Sequence, residues 1–460
     1  MKLGYILSRF LMIIPTVLIV IVVSFFLFNI SGADPVSSAL QLQGLSENDQ
    51  IGADAYNDAY KLEAIEQGRH LPQFYLSVLP SYYPDTLHRL LFPQKKKFAK
   101  QLLHKYKNWS SVENYLNALE SMQRHKQLPP SINQALLILN QNLQNTNLES
   151  MFVSIENDVE KMSPTQQNDF QLLEDRAFDL EKNKRSLFYP HFKWNGNNSQ
   201  FHLWIARFVK GDFGIAMVDG KPVWTKISKA LVWSFSLSFL SIIIASFFSI
   251  LLGLMTSYYQ DSMFDKIIFG VLFGIYSMPL FWLATIMIVF FTTDDFGSWT
   301  NIFHSVGLFY AGDGNVMSIM VRNAALFILP IFCISIHSLA YLGRLVKASI
   351  VEEKSKDYYL TGLAKGLSPF QVLWKHSLPN SLLPFITIII GAIPASLGGS
   401  LIIEVLFNIP GMGRLTYDSI LNNDWNVIAG IIILISIVTT IFYFIGDVIY
   451  SLINPRISFA

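Results

Sequence analysis

Six strongly apolar stretches of the chain hold no Asp, Glu, Lys or Arg between their ends, and polar intervals of very unequal length separate them. They run from Arg9 to Asp34, Lys229 to Asp261, Lys266 to Asp294 and Arg322 to Arg344, then inside Lys375–Glu404 and inside Asp424–Asp447. A helix crossing a bilayer needs roughly 20 apolar residues, so each stretch predicts one span. The first has a rival reading as a cleaved signal peptide, because Ser31-Gly32-Ala33 has the small residues of a cleavage site. Its apolar core exceeds the roughly 7–15 residues of a signal h-region, so a retained first span is expected.

Positive charge sets the orientation. Lys2 and Arg9 place the N-terminus in the cytoplasm. Alternation then puts 257–266 and 344–380 inside with the tail NPRISFA, and about 294–320 and 407–424 outside. The interval 344–380 carries six basic residues, whereas 407–424 carries only Arg414. The expected fold class is therefore an all-α polytopic membrane protein. It has six transmembrane helices and a large, mainly helical extracytoplasmic insertion between helices 1 and 2. Its expected parts are a first span (1–33), an extracytoplasmic region (34–229) with the insertion at about 82–200, and a five-helix core (230–460).

The insertion changes character. It mixes charges of both signs and reads as several helices. Ser110 with Glu113 suggests a capping box ahead of VENYLNALESM. Leu148, Met151, Phe152, Ile155, Val159 and Met162 fall on one helical face. Ser163-Pro164 has the form of an N-cap followed by proline at the first helical position. The run Lys95-Lys96-Lys97 reads as a solvated face, with an anionic surface partner as the sharper alternative.

Composition agrees with the pattern. The 460 residues are 52% hydrophobic and 15% charged, against about a quarter charged in a soluble protein. A net charge of +1 gives no electrostatic case for nucleic acid. The single cysteine, Cys333, lies in an apolar run and reads as a small buried hydrophobe, with no disulfide framework or thiolate metal site. No GxxxxGK[ST] stretch is present, so ATP hydrolysis by this chain is not expected. Nine histidines are scattered without metal-ligand spacing. GMGR at 411–414 reads as a glycine-rich turn. Ionisable groups within spans are functional suspects. His337 reads first as a satisfied interhelical hydrogen bond and second as a pathway residue. Glu404 and Asp447 lie near span ends, within reach of water. In the fifth span Gly391, Pro394, Gly398 and Gly399 weaken a simple helix, which suits close packing, a pore lining with a gate, or both.

The polar interval Arg344–Pro384 is the centre of the functional reading. It holds Arg344, Lys347, Lys354, Lys356, Lys365 and Lys375. DYYLTGLAKG predicts a short helix ended by Gly366 in a left-handed cap. Ser368-Pro369 opens a second, FQVLWKHSL, which Pro379 closes. Tyr358, Tyr359, Leu363, Phe370, Leu373 and Trp374 supply apolar anchors. Such a projection suits a cleft on a soluble cytoplasmic protein; the bland alternative is an interfacial loop with aromatic residues at headgroup level.

These residues resemble the permease subunits of ATP-binding-cassette importers, in the oligopeptide/dipeptide/nickel branch. The family's cytoplasmic signature is E-A-A-x-x-x-G followed by I-x-L-P. Gly366 matches the glycine, and His376-Ser377-Leu378-Pro379 match I-x-L-P with His376 in place of isoleucine. Leu360, Thr361 and Gly362 stand where E-A-A would be; the peptide branch usually reads D-Y-x-x-T-A-x-A-K-G-L, from which only Gly362 departs. GADP at 32–35, LPQFYLSVL at 71–79, GDFGIAMVDGKPV at 211–223, MPLFWL at 278–283, EVLFNIPGMGRL at 404–415 and DVIYSLINPRI at 447–457 resemble further landmarks in order. In the last, Asn454 replaces the usual aspartate. The insertion has no counterpart.

The resemblance implies half of a translocation pathway in a bacterial cytoplasmic membrane, with both termini cytoplasmic and peptide as cargo. Implied partners are a second homologous permease, two ATPase subunits, an extracytoplasmic substrate-binding protein and membrane lipid. The chain itself binds no cofactor; ATP and Mg belong to the ATPases. Asp357, Tyr358, Tyr359, Thr361, Gly362, Ala364, Lys365, Gly366, His376, Leu378 and Pro379 are the implied coupling residues. Gly391, Pro394, Gly398, Gly399 and Glu404 are candidates for the pathway or gate. A receptor with an extracytoplasmic ligand domain, or a permease for nickel or another small solute, is the alternative.

Overall fold

The computed structural model describes residues 3–30, 34–45, 53–80, 82–84, 86–125, 128–141, 148–182, 189–303 and 321–453. The cleavage-like Ser31-Gly32-Ala33, most of the expected loop 294–320 and the tail 454–460 lie outside them. In chain order the helices are α1 (Leu3–Ile30), α2 (Pro35–Leu42), α3 (Ala53–Glu66), α4 (Pro93–Tyr106), α5 (Trp109–Gln123), α6 (Pro130–Gln141), α7 (Leu148–Val159), α8 (Pro164–Lys182) and α9 (Gln200–Val209). Strands β1 (Leu76–Pro80) and β2 (Pro190–Trp194) lie among them. There follow α10 (Val223–Tyr258), α11 (Met263–Tyr276), α12 (Leu280–Thr292), α13 (Ala324–Lys354), α14 (Asp357–Ala364), α15 (Pro369–Val372), α16 (Leu378–Leu397), α17 (Leu401–Leu406), α18 (Met412–Leu421) and α19 (Trp425–Ile453). The chain divides into two compact units, Met1–Ala33 with Phe213–Ala460, and Asp34–Asp212.

Among the described residues of the first unit, five helices are long and apolar enough to cross a membrane: α1, α10, α13, the run Pro369–Leu397 and α19. The apolar stretch 266–294 is not one straight helix. It is the pair α11 and α12, bent by 96°. Pro279 explains the break: it has no N–H to continue the α11 ladder and itself caps α12. The α10 face toward α13 is built from small residues, among them Ser241, Ser249 and Gly253. Ser335 donates to the Ser241 carbonyl at 3.1 Å. A Cβ on Gly253 would lie 2.6 Å from Val346 Cγ1, so only glycine permits that crossing. Arg9 on α1 and Asp447 on α19 pair at 3.4 Å.

The second unit is organised around a two-stranded antiparallel ribbon. Leu76 faces Trp194, Val78 faces Phe192 and Pro80 faces Pro190. The last rung joins two prolines, neither with an N–H, so the ladder stops there. The chain thus leaves for the α4–α8 bundle and returns from it at one point. That bundle has its own core, including Leu102, Leu103, Tyr115, Met122, Leu139, Leu173 and Leu180. Phe152, Ile155 and Met162 enter this core, as the periodicity predicts. Ser163 caps α8 in a reciprocal box with Gln166. The Ser110–Glu113 box does not form, because α5 begins earlier, at Trp109, with Asn108 as its cap. The lysine run does not form one patch. Lys95 pairs with Glu120 at 3.5 Å, and burial, then Lys100 and Arg69, bring Lys96 down to about 8.

Candidate functional site

Two constructions in the membrane unit carry the sequence-predicted residues. The first is the segment between α13 and α16. The expected loop from Arg344 to Pro384 is much shorter than its polarity suggests. Helix α13 runs on to Lys354, and α15, a π turn at Leu373–Ser377 and α16 form one apolar run, Pro369–Leu397. Lys347, Glu353 and Lys354 of α13 find partners within the protein, which helps the helix continue. Lys347 Nζ lies 2.7 Å from Asp265 Oδ1 and Oδ2 and over the Phe269 ring at 4.7 Å. Lys354 donates to the Ser257 carbonyl. Lys356 pairs with Glu353 at 2.5 Å. Three of the six basic residues expected to face a partner are therefore already engaged.

Gly366 has φ +84°, and its N–H bonds the Leu363 carbonyl at 2.9 Å, so it ends α14 in the left-handed cap expected of it. Ser368 and Gln371 form a capping box at α15. Pro379 does not close this helix. It sits in the first turn of α16, after a π turn in which the Leu378 N–H reaches back to the Leu373 carbonyl. Widening the helix by one residue accommodates the hydrogen bond that proline cannot make.

Burial sorts the predicted anchors into two groups. Leu373 and Leu378 are in the core with Val346, Ile350 and Leu254, and Tyr359 packs against them. Tyr358 donates to Glu353; burial and then that bond hold its phenol above the ordinary range. Gly362 is buried under Val372, where a Cβ would lie 3.1 Å from Cγ2, a reason for glycine where the related wording has alanine. Leu363 is half-buried. The large apolar side chains left exposed are Leu360 (63%), Phe370 (47%) and Trp374 (52%). Asp357, Thr361, Ala364, Lys365, Gly366, His376 and Pro379 are also exposed along the segment.

The second construction is a carboxylate clamp. Helix α16 runs through Pro384 and Pro394 and stops at Gly398-Gly399, with Gly399 at φ +76°. Glu404, expected within reach of water, is fully buried. Its Oε1 accepts from Ser234 Oγ on α10 at 2.7 Å and from the Ser400 N–H at 3.1 Å. Oε2 accepts from the Arg414 N–H at 3.1 Å. Ser234 Oγ in turn accepts from the Met412 N–H at 2.6 Å. The N-cap of α18, Gly411, offers no side chain, so Glu404 and Ser234 supply the acceptors that its first turn lacks. A Cβ on Gly399 or Gly411 would fall on the Glu404 carboxylate. Gly391 is different: nothing lies within 4 Å of its Cβ position, so this side of α16 is open in the single chain.

His337 does not make the hydrogen bond expected of it: its Nδ1 has no partner among the described residues. Its ring instead stacks on Tyr276 at 5.0 Å, beside the α11–α12 break. Cys333 is a buried free thiol. Asp265, Ser234, Glu353 and Val372 were not singled out by sequence. Asp265 had a signal, Ser262-x-x-Asp265, and Ser262 does cap α11, but the spacing says nothing about Lys347.

Residues 249–459 match the family model for the binding-protein-dependent transport system inner membrane component. A probable peptide ABC transporter permease of Sinorhizobium fredii is 30% identical over 264 residues, covering 56% of this chain and 80% of the relative. An oligopeptide transport system permease of Bacillus subtilis is 30% identical over 267 residues, with coverage of 56% and 80%. A glutathione transport system permease of Escherichia coli is 30% identical over 260 residues, with coverage of 56% and 79%. With the order of apolar helices, the Gly366 cap and these matches together, the chain belongs to the binding-protein-dependent transport system inner membrane components, the permease subunits of ABC importers.

Proposed function

We propose that this chain is one of two permease subunits of an ATP-driven peptide importer. Peptide cargo is supported by relatives named for peptide, oligopeptide and glutathione transport. The protein crosses the cytoplasmic membrane six times, counting α11 and α12 as one broken span, with both termini inside and the region between α1 and α10 outside. ATP and Mg are bound and hydrolysed by two separate subunits, and an external binding protein delivers the cargo.

The observation that carries the coupling role is the split of segment 357–379 into an anchored side and a free side. Tyr358, Tyr359, Leu373 and Leu378 hold it to the helix core around α13, and Gly362 packs α14 under Val372 of α15. Leu360, Phe370 and Trp374 are left outward, apolar and aromatic side chains of the kind that carries binding energy in an interface. Asp357, Thr361, Ala364, Lys365, Gly366, His376 and Pro379 surround the ATPase contact. The missing acidic residue is Leu360, so contact rests on shape and apolar burial. The open side of α16 at Gly391 faces the second permease and the pathway, Pro394 is buried within the same helix, and Gly398, Gly399 and Glu404 fix its end.

The test is a Phe370→Glu/Trp374→Glu chain co-expressed with its ATPase subunits. Both positions are exposed, so membrane insertion and thermal stability stay at parental values, while ATPase co-purification and ATP-dependent peptide uptake are lost. Normal uptake in that variant would remove the coupling role.

A further inference from the structure

Among the described residues, the second unit leaves an apolar surface exposed. On one face of the ribbon, Leu76 (44% exposed), Val78 (55%), Phe192 (64%) and Trp194 (72%) lie side by side, as the register dictates. The opposite face is half-turned inward, and Asn195 Nδ2 bonds Ser77 Oγ there at 2.7 Å. A two-stranded ribbon is marginal in water unless its apolar face is covered.

A series of aromatic rings, half-buried except for the buried Phe201, connects the patch to α9. Trp194 stacks on Tyr75 (6.0 Å), Tyr75 meets Phe201 (5.4 Å), Phe201 meets Trp204 (6.3 Å) and Trp204 stacks on Phe208 (5.9 Å). The series thus passes from the ribbon down α9. It ends beside Val209, which is 79% exposed, with Arg207 and Lys210 exposed next to it. In sequence the next helix is α10, a membrane span that starts at Val223.

We propose that this neck, the ribbon face together with α9, lies in the headgroup region of the bilayer. Trp and Tyr concentrate at membrane–water interfaces because their rings are apolar and their N–H and O–H groups are polar. A helix with apolar side chains beside basic ones lies in the same layer. The composition favours lipid over a protein partner. The ribbon face carries no charged side chain and only one side-chain donor, the Trp194 indole, whereas a protein interface has about one hydrogen bond per 100–200 Å². Arg207 and Lys210 complement the phosphates of the headgroups. The neck would act as a monotopic anchor for the helical bundle carried on the ribbon.

The single cysteine makes the test direct. In the full-length chain with Cys333→Ala, reconstituted in nanodiscs, cysteines replace Phe192, Trp194 and Val209 one at a time and carry a nitroxide, with Gln94→Cys as a solvent reference. All four positions are exposed, so the fold is retained. Power saturation compares collision with oxygen, which partitions into lipid, against a nickel chelate, which stays in water. The expected result is a higher oxygen-to-nickel ratio at 192, 194 and 209 than at 94. Ratios equal to the reference, which mean open water, overturn the proposal; so does exclusion of both reagents, which means cover by protein.

Discussion

Replacing Glu404 with leucine is expected to cost the most of any single change in the membrane unit. The substitution leaves the N–H groups of Ser400 and Arg414 and the Ser234 hydroxyl without their acceptor in a site shut off from solvent. An orphaned buried polar group costs roughly 1–3 kcal/mol, so three of them remove most of the stability of an ordinary domain. Glu404→Gln is milder, because one oxygen still accepts, yet its amide N–H₂ is turned toward donors. Ser234→Ala is milder again and orphans chiefly the Met412 N–H. Gly411→Ala should act like a Glu404 variant, since its methyl would occupy the carboxylate's place. Thermal unfolding of the full chain in detergent, followed by size exclusion, checks the order. Parental stability for Glu404→Leu would falsify the clamp.

The second large effect is expected at Asp265 and Lys347. The Asp265 side chain is 5% exposed and Lys347 24%. Lys347→Met leaves the carboxylate buried and unpaired, a change that typically costs about 3–5 kcal/mol. Adding Asp265→Leu removes the stranded charge and should restore much of the loss, because a buried pair replaced by apolar side chains is often close to neutral. Thermal stability of the two single variants and the double variant gives the coupling directly. A double variant no more stable than Lys347→Met alone would show that the pair does not act as a unit. The pair ties the start of α11 to α13 shortly before the coupling segment, so uptake is expected to fall with Lys347→Met and to return less completely than stability in the double variant.

Much of this protein is legible along the chain, because a bilayer imposes a simple rule: apolar runs without charge. Five spans follow it directly. The 266–294 run obeys it in composition and departs in shape, since hydropathy is blind to the bend that Pro279 introduces. Local capping was equally readable. The caps at Gly366, Ser163 and Ser368 depend only on neighbours within a few residues, and each forms, with Gln166 and Gln371 adding return bonds that the sequence reading had not included. Ser110 failed for a local reason too, because Asn108 starts α5 earlier. Pro379 was misread because its usual effect, ending a helix, has an alternative in a π turn.

Pairings across long separations were not legible. Ser234 and Glu404 stand 170 residues apart, and Lys347 and Asp265 stand 82 apart. Each looks ordinary by itself: a serine in an apolar run, a glutamate near a span end, a lysine in a basic interval. Lys347 was consequently counted among the charges for a partner, and Glu404 was expected near water. The proposed coupling segment was half legible. Aromatic content marked the segment, but only the fold separates Tyr359 and Leu373, which anchor it, from Phe370 and Trp374, which remain outward.

In its proposed function this chain forms half of a peptide pathway powered by separate ATPases through residues 357–379. The most direct measurement is peptide uptake into proteoliposomes holding the chain with its second permease, ATPase and binding-protein partners. Uptake that requires ATP and stops with Phe370→Glu/Trp374→Glu is the predicted result. Uptake driven by an ion gradient, without ATP and without the ATPase subunits, would contradict it.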